Sequence, residues 1–215
     1  MAFALGQLRL AYETLNEKEI KEGRLFDFGF LIVPGGYTQE YSPALGEEGR
    51  EAIRRFVRQG GGYLGICAGA YLAAEKVEVP GKPRGLGLIA VQNLRQSGQG
   101  MRTIYLAQHP ATRGLPQQIT IYYQNGPEIL PQEGVAKIAS YRNGRLAVAI
   151  GSFGEGKVVI FSPHPEGSIT QGIKPSPGTE PLKSPEVVEL LLTHHLRELG
   201  TLATLAHKQP ESGGT

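Results

Sequence analysis

Gly65-Ile66-Cys67-Ala68-Gly69 places the chain's single cysteine where an apolar run, Tyr63–Ile66, gives way to a helical segment. A nucleophile at a strand-to-helix turn is held on a tight elbow. Its flanking glycines let the backbone fold there and let other groups come close. A helix starting at Ala68 aims its first N–H groups at the sulfur, which favours thiolate over a thiol of pKa about 8.5. The Ala68 N–H is also offered to an oxyanion. The plainer reading is a small buried hydrophobe, the usual fate of a lone cysteine. His164-Pro165-Glu166 is the second candidate. Residues i and i+2 of an extended segment point the same way, and Pro165 fixes the backbone between them. The imidazole can take a thiol proton while the carboxylate orients the ring. The plainer reading is a surface pair beside a turn. Pro34-Gly35-Gly36 is the third, a glycine loop with a backbone N–H to spare for an oxyanion, or simply a turn.

These pieces need elements to hold them. Leu8–Leu15 alternates apolar and polar residues and reads as a strand; NEKEIKEG after it reads as a short charged helical turn. Phe28–Val33 is a continuous apolar run, as in a strand buried on both faces of a parallel sheet. Glu47–Arg58 carries apolar residues at 52, 53, 56 and 57, one face of a helix. With Tyr63–Ile66 it completes a βαβ unit. From Gly85 to Phe161 short strands follow one another: GLGLIAV, TIYLAQ, QQITIYYQ, VAKIASY, RLAVAI and KVVIFS. Asn143-Gly144 and Gly154-Glu155-Gly156 mark turns between them. A Pro- and Gly-rich loop over about 167–183 follows His164-Pro165-Glu166 directly, a candidate cover for the site whose role the sequence leaves open. Ser184 and Pro185 open a last helix that Gly200 closes. All three candidate pieces sit at carboxyl ends of strands, where sites form in open α/β sheets.

Composition narrows the classes. Among 215 residues, Lys+Arg is 22 and Asp+Glu is 20, too balanced for a nucleic-acid binder that relies on a broad basic field. One cysteine excludes an intramolecular disulfide and a multi-thiolate metal site. No apolar run approaches the roughly 20 residues of a membrane helix, and the first ten residues lack a signal-peptide layout. A protein of a reducing, cytoplasmic compartment is expected, without nucleic-acid or membrane partners. His194 and His195 are adjacent on the last helix and point about 100° apart, a poor metal pair. His109 and His207 have no evident partner. Arg50, Arg54 and Arg58 form an i, i+4 stripe with Glu47 and Glu51, read as a solvated ion-paired face. Tyr122–Pro127, YYQNGP, lines the pocket or packs as edge strand.

In combination the pieces are far more specific. Glycine loop, cysteine elbow and HPE, in that order, resemble the class I glutamine amidotransferase superfamily, whose triad is Cys, His, Glu in this order. LIVPGGY, FVRQGGGYLGICAGAYLA, YYQNGP and SPHPEGS are similar to the N-terminal domain of biotin–protein ligases and its stand-alone bacterial relatives. The resemblance implies an α/β, flavodoxin-like sandwich of mostly parallel sheet with helices on both faces, plus antiparallel strands from the middle of the chain. It implies one domain over 1–200, with 201–215 a flexible tail. It implies Cys67 as nucleophile, His164 as base, Glu166 as orienting acid, Gly36 and Ala68 as oxyanion donors, and Gly35 and Tyr71 at the substrate. The activity implied is thiol hydrolysis or transfer on a small-molecule amide or acyl compound, with no metal or organic cofactor. An ammonia acceptor would be a separate synthase protein. Biotin ligation is not expected, because no GRGRxGR-like segment is present. The alternative is a ligand-binding or regulatory module with an idle triad on the same scaffold. Two departures are informative. The family's glutamine users typically carry Gln where this chain has Tyr71, so free glutamine is expected to be a poor substrate. The family's opening strand and helix are expected to be missing ahead of residue 8. An apolar edge near Phe28–Val33 is then left exposed or covered by a homo-oligomer.

Overall fold

The computed structural model describes residue 5, residues 11–81 and residues 83–166. Helix α1 (Glu17–Lys21) leads to β1 (Phe30–Val33), helix α2 (Thr38–Arg58), β2 (Gly62–Ile66), helix α3 (Ala68–Ala73) and β3 (Ala74–Glu78). Then come β4 (Ile89–Leu94), β5 (Gln99–Leu106), β6 (Gln118–Gln124), β7 (Glu128–Pro131), β8 (Ala136–Ser140), β9 (Leu146–Phe153) and β10 (Gly156–Phe161). α1 is the expected charged turn. Asn16 and Glu19 cap each other's backbone N–H groups at its start, at 3.0 and 2.9 Å. α2 is longer than the helix expected at 47–58. Two helical pieces meet at Gly46, whose φ is 59°, and Pro43 lies just before it. Those two helix breakers mask the first piece in the sequence.

The expected βαβ unit is present. β1 and β2 pair in parallel, and β10 joins β2 in parallel on its other side. The sheet continues β10-β9-β7-β4-β3, mostly antiparallel, with a branch in which β8 ties β9 to β5 and β5 pairs with β6. The parallel strands thus carry the site, and the middle of the chain supplies the antiparallel additions, as expected. The Asn143-Gly144 and Gly154-Gly156 turns close the β8–β9 and β9–β10 hairpins. β3 and β7 go beyond the expectation. β3 is mostly exposed and reads as a charged stretch, and β7 has four residues, so neither carries a strand pattern. α2 and α3 bury Ile53, Phe56, Val57 and Leu72 against one face of the sheet. The β5–β6–β8 branch buries Ile104, Ile119, Ile121 and Ile138 against Leu64 and Ile66 on the other.

Three expectations need correction or fall outside these residues. The strand over 8–15 is absent in its described part: residues 11–15 are irregular and almost all exposed. Alternation reports which side of a segment is apolar, not whether a strand edge pairs with it. Here the segment borders an apolar cavity of about 390 Å³ beside β1, lined also by Leu5, Leu15, Phe30, Leu31 and Leu72. Among the described residues β1 pairs with β2 alone. The arginine stripe does form ion pairs, Arg54–Glu51 at 3.3 Å and Arg50–Glu47 at 3.7 Å. It is not simply a solvated face, however. Arg50 donates to the carbonyls of Arg84 and Gly85 and to the Ser42 hydroxyl, and Arg54 donates to the Leu86 carbonyl. Guanidinium forks suit clustered carbonyls, and a loop passes above the helix. The 167–183 loop, the helix from Ser184, His194, His195, His207 and the 201–215 tail lie outside the described residues.

Candidate active site

Cys67 has φ 51° and ψ −98°, a conformation that L residues rarely adopt. Close packing holds it there. Its N–H donates to the Phe161 carbonyl at 2.9 Å, and its carbonyl accepts from the Tyr71 N–H at 3.1 Å. The framing glycines have a steric reason. A Cβ on Gly65 would stand 2.5 Å from the Gly69 carbonyl oxygen, and one on Gly69 would collide with the Val33 carbonyl of β1. Every residue from 62 to 74 is buried.

The β2–β10 register, Ile160 opposite Gly65 and Phe161 opposite Ile66, brings the end of β10 level with the elbow. The chain then leaves β2. Ser162 N–H donates to Ala147 and His164 N–H to Tyr122, at 2.8 and 2.7 Å. The extended segment expected here is not formed: Pro165 and Glu166 are helical, and the turn that begins after His164 brings His164 Nδ1 to 3.0 Å from Glu166 Oε1. His164 Nε2 lies 3.2 Å from the Gln124 carbonyl oxygen, and the Cys67 sulfur lies 3.4 Å from the same atom. Gly35 closes the third side: a Cβ there would stand 2.5 Å from His164 Cε1 and 3.6 Å from Cys67 Cβ. The structure therefore brings Gly35, Cys67, His164 and Glu166 together, with Gly36 and Ala68 next in chain to two of them. Tyr71 is buried in α3, and its hydroxyl donates to the Leu94 carbonyl at 3.3 Å.

Electrostatics set the imidazole's state. Burial disfavours its charge. Hydrogen bonds to the Cys67 sulfur and to Glu166, and the charges of both, outweigh burial and raise the ring from 6.5 to about 10. A ring with a carboxylate at Nδ1 and a carbonyl at Nε2 faces two acceptors, which the doubly protonated form satisfies. Burial pushes the Tyr71 phenol up to about 12, against a backbone hydrogen bond from Gln96. Such an assembly can attack a carbonyl through sulfur and deliver a proton through Nε2.

Buried tyrosines hold the turns around it. Tyr63 hydroxyl donates to Gly69, Tyr123 to Gly126, and Tyr141 pairs with Ser162, at 2.8, 2.8 and 3.0 Å. The sequence flagged YYQNGP as pocket-lining or edge packing, and the Gln124 carbonyl is what it contributes. Asn125 has φ 53° and is steadied by Gly98, and a Cβ on Gly126 would collide with the Ser162 carbonyl. His109 is structural: its Nδ1 accepts from Ala111 N–H and caps a short turn. Among the described residues no helix is long and apolar enough to cross a membrane.

Residues 27–95 match the family described as biotin-protein ligase, N terminal. The pyridoxal 5'-phosphate synthase subunit PdxT of Koribacter versatilis is 29% identical over 147 residues, 68% of this chain and 72% of that protein. The biotin–protein ligase of Schizosaccharomyces pombe is 26% identical over 161 residues; the match takes in 64% of this chain and 25% of the ligase. The chain thus spans about a quarter of that ligase. A solved structure described as a glutamine amidotransferase superposes with TM-score 0.63 at 21% identity, covering 91% of this chain and 89% of the other.

Proposed function

We propose that this chain, which belongs to the class I glutamine amidotransferase-like superfamily, is a thiol-dependent hydrolase or transferase of a small amide or related acyl compound. One observation carries the reading: a cysteine held at positive φ on a buried elbow, beside an imidazole whose far nitrogen is 3.0 Å from a carboxylate. In the proposed reaction the thiol proton passes to His164, and the Cys67 sulfur bonds to the carbonyl carbon as the C=O electron pair moves onto oxygen. The N–H groups of Gly36 and Ala68 stabilise that oxyanion. His164 Nε2 gives its proton to the leaving nitrogen as the C–N bond breaks, leaving a thioester on Cys67. The ring, now neutral and strongly basic, takes a proton from water, which attacks the thioester and releases the acid. Glu166 holds the ring's orientation throughout. Gly35 leaves room for the ring, and a buried Tyr71 in place of glutamine points away from free glutamine toward another amide or ester. A separate acceptor protein fits the likeness to a synthase subunit, and a second copy of the chain is a further candidate partner at the β1 edge.

A screen of small amides and esters, read by intact mass for an adduct on Cys67, tests this with Cys67→Ala as blank. Iodoacetamide should alkylate native protein faster than denatured protein, and His164→Ala should slow it. A second reading, a ligand-binding module with an idle triad, draws on the Gln124 carbonyl, which engages both the sulfur and Nε2. That reading expects the native thiol to be protected from alkylation.

A further inference from the structure

We propose that Tyr41 is a positioning residue that aims the Gly36 N–H at the oxyanion, an inference that rests on the Cys67 reading above. Tyr41 sits on the first turn of α2, and its hydroxyl reaches back over the helix start to donate to the Gly35 carbonyl at 3.3 Å. That carbonyl and the Gly36 N–H belong to one peptide unit. The unit is planar, and no peptide among the described residues is cis. In a trans peptide the carbonyl oxygen and the following Cα share one edge, and the N–H and the preceding Cα share the opposite edge.

Both edges are accounted for. A Cβ on Gly36 would collide with the Tyr41 hydroxyl, so the phenol lies along the edge of the Gly35 oxygen and the Gly36 Cα. A Cβ on Gly35 would meet the His164 ring and approach the Cys67 Cβ, so the other edge faces the site. The Gly36 N–H lies on that edge. A single hydroxyl therefore sets the tilt of a plane whose far side carries the donor. Two glycines in succession leave the plane otherwise free to rotate. β1, the strand feeding this loop, pairs on one side only among the described residues. Burial, then the charges of Glu40 and Cys67, raise the phenol's pKa, so it stays a donor through neutral pH.

The test compares two reactions of the same thiol in the full chain. p-Nitrophenyl acetate acetylates sulfur: the S–C bond forms through an oxyanion and p-nitrophenolate leaves. Iodoacetamide alkylates sulfur by displacing iodide at a saturated carbon, with no oxyanion. Tyr41→Phe keeps the ring and removes the donor. The expected result is acetylation slowed about 10-fold, with alkylation and melting temperature unchanged; removing an oxyanion donor outright costs about 100-fold or more. Equal slowing of both reactions would mean a general disturbance of the elbow, and no slowing of acetylation would mean that Tyr41 sets nothing; either overturns the proposal. If wild-type Cys67 shows no preference for acetylation beyond that of the denatured chain, the nucleophile reading fails as well, a result distinct from both. Should Tyr41→Phe melt lower, both rates are read well below its melting temperature, where a fall in acetylation relative to alkylation supports the proposal and an unchanged ratio overturns it.

Discussion

The elbow and the glycine loop are two halves of one site built to different standards of rigidity. From Gly62 to Ala74 every residue is buried, β2 is paired on both sides, and two glycines are required by backbone contacts. The loop at Gly35-Gly36 follows β1, a half-buried strand paired on one side among the described residues and bordered by a cavity of about 390 Å³. Strain at Cys67 persists because its surroundings over-determine it. The loop is held by less, and the Tyr41 hydroxyl bonds to its Gly35 carbonyl, the contact on which the proposal above rests. In the proposed mechanism the nucleophile stays fixed while the donor loop admits a substrate, a division that matches the difference in packing.

The largest expected effect comes from adding a methyl group inside the elbow, set against the same change at an open glycine upstream of β1. Gly65→Ala should destabilise by about 3 kcal/mol, because the added carbon meets a carbonyl and the Tyr63 ring inside a close-packed turn. Gly23→Ala, ahead of β1, meets nothing within 4 Å and should cost only about 1 kcal/mol, from its φ of 90°. Urea denaturation of the two variants checks both values; equal losses would mean that the elbow is not the close-packed turn described.

Truncation sharpens the contrast from the apolar side. Leu64→Ala, from a fully buried position in β2, should cost about 3 kcal/mol. Leu31→Ala, in half-buried β1 beside the cavity, should cost about 1 kcal/mol, since less area leaves contact with protein. Chemical denaturation midpoints at constant slope give the comparison, and a reversed order would refute it.

A pH series probes the junction of the two halves. His164 titrates at about 10 in the folded chain against 6.5 unfolded, so the folded state binds the proton more tightly. The stabilisation it provides is complete below pH 6.5 and is lost as pH rises through 10. The stability gap between wild type and His164→Ala should therefore narrow steadily over that window. A gap that widens with pH would show that the ring is held neutral.

The smallest effect concerns Tyr71. Its hydroxyl donates to Leu94, so Tyr71→Phe should cost about 1 kcal/mol by thermal melting, and the elbow should retain its alkylation rate. A large fall in that rate would place the hydroxyl in the site rather than in the packing behind it.

Residue types and spacing made much of this legible. GICAG between an apolar run and a helical stretch marks an elbow because only glycine tolerates those backbone approaches. HPE marks an imidazole beside a carboxylate by its residue types, but the extended repeat expected for it is not what joins them: Pro165 and Glu166 are helical, and the turn after His164 sets the two groups 3.0 Å apart. The βαβ unit and the two hairpin turns followed from the same local rules. Other features have no local signature. The alternation over 8–15 gave a strand that residues 11–15 do not form, because pairing depends on an available edge. The acceptor shared by Cys67 and His164 is the carbonyl of Gln124, and a carbonyl is common to every residue, so register alone decides which one arrives. Tyr41 looks like any tyrosine on a helix. Only the folded chain puts its hydroxyl on one edge of a peptide whose other edge faces the thiol, because that juxtaposition depends on how α2, β1 and the elbow pack.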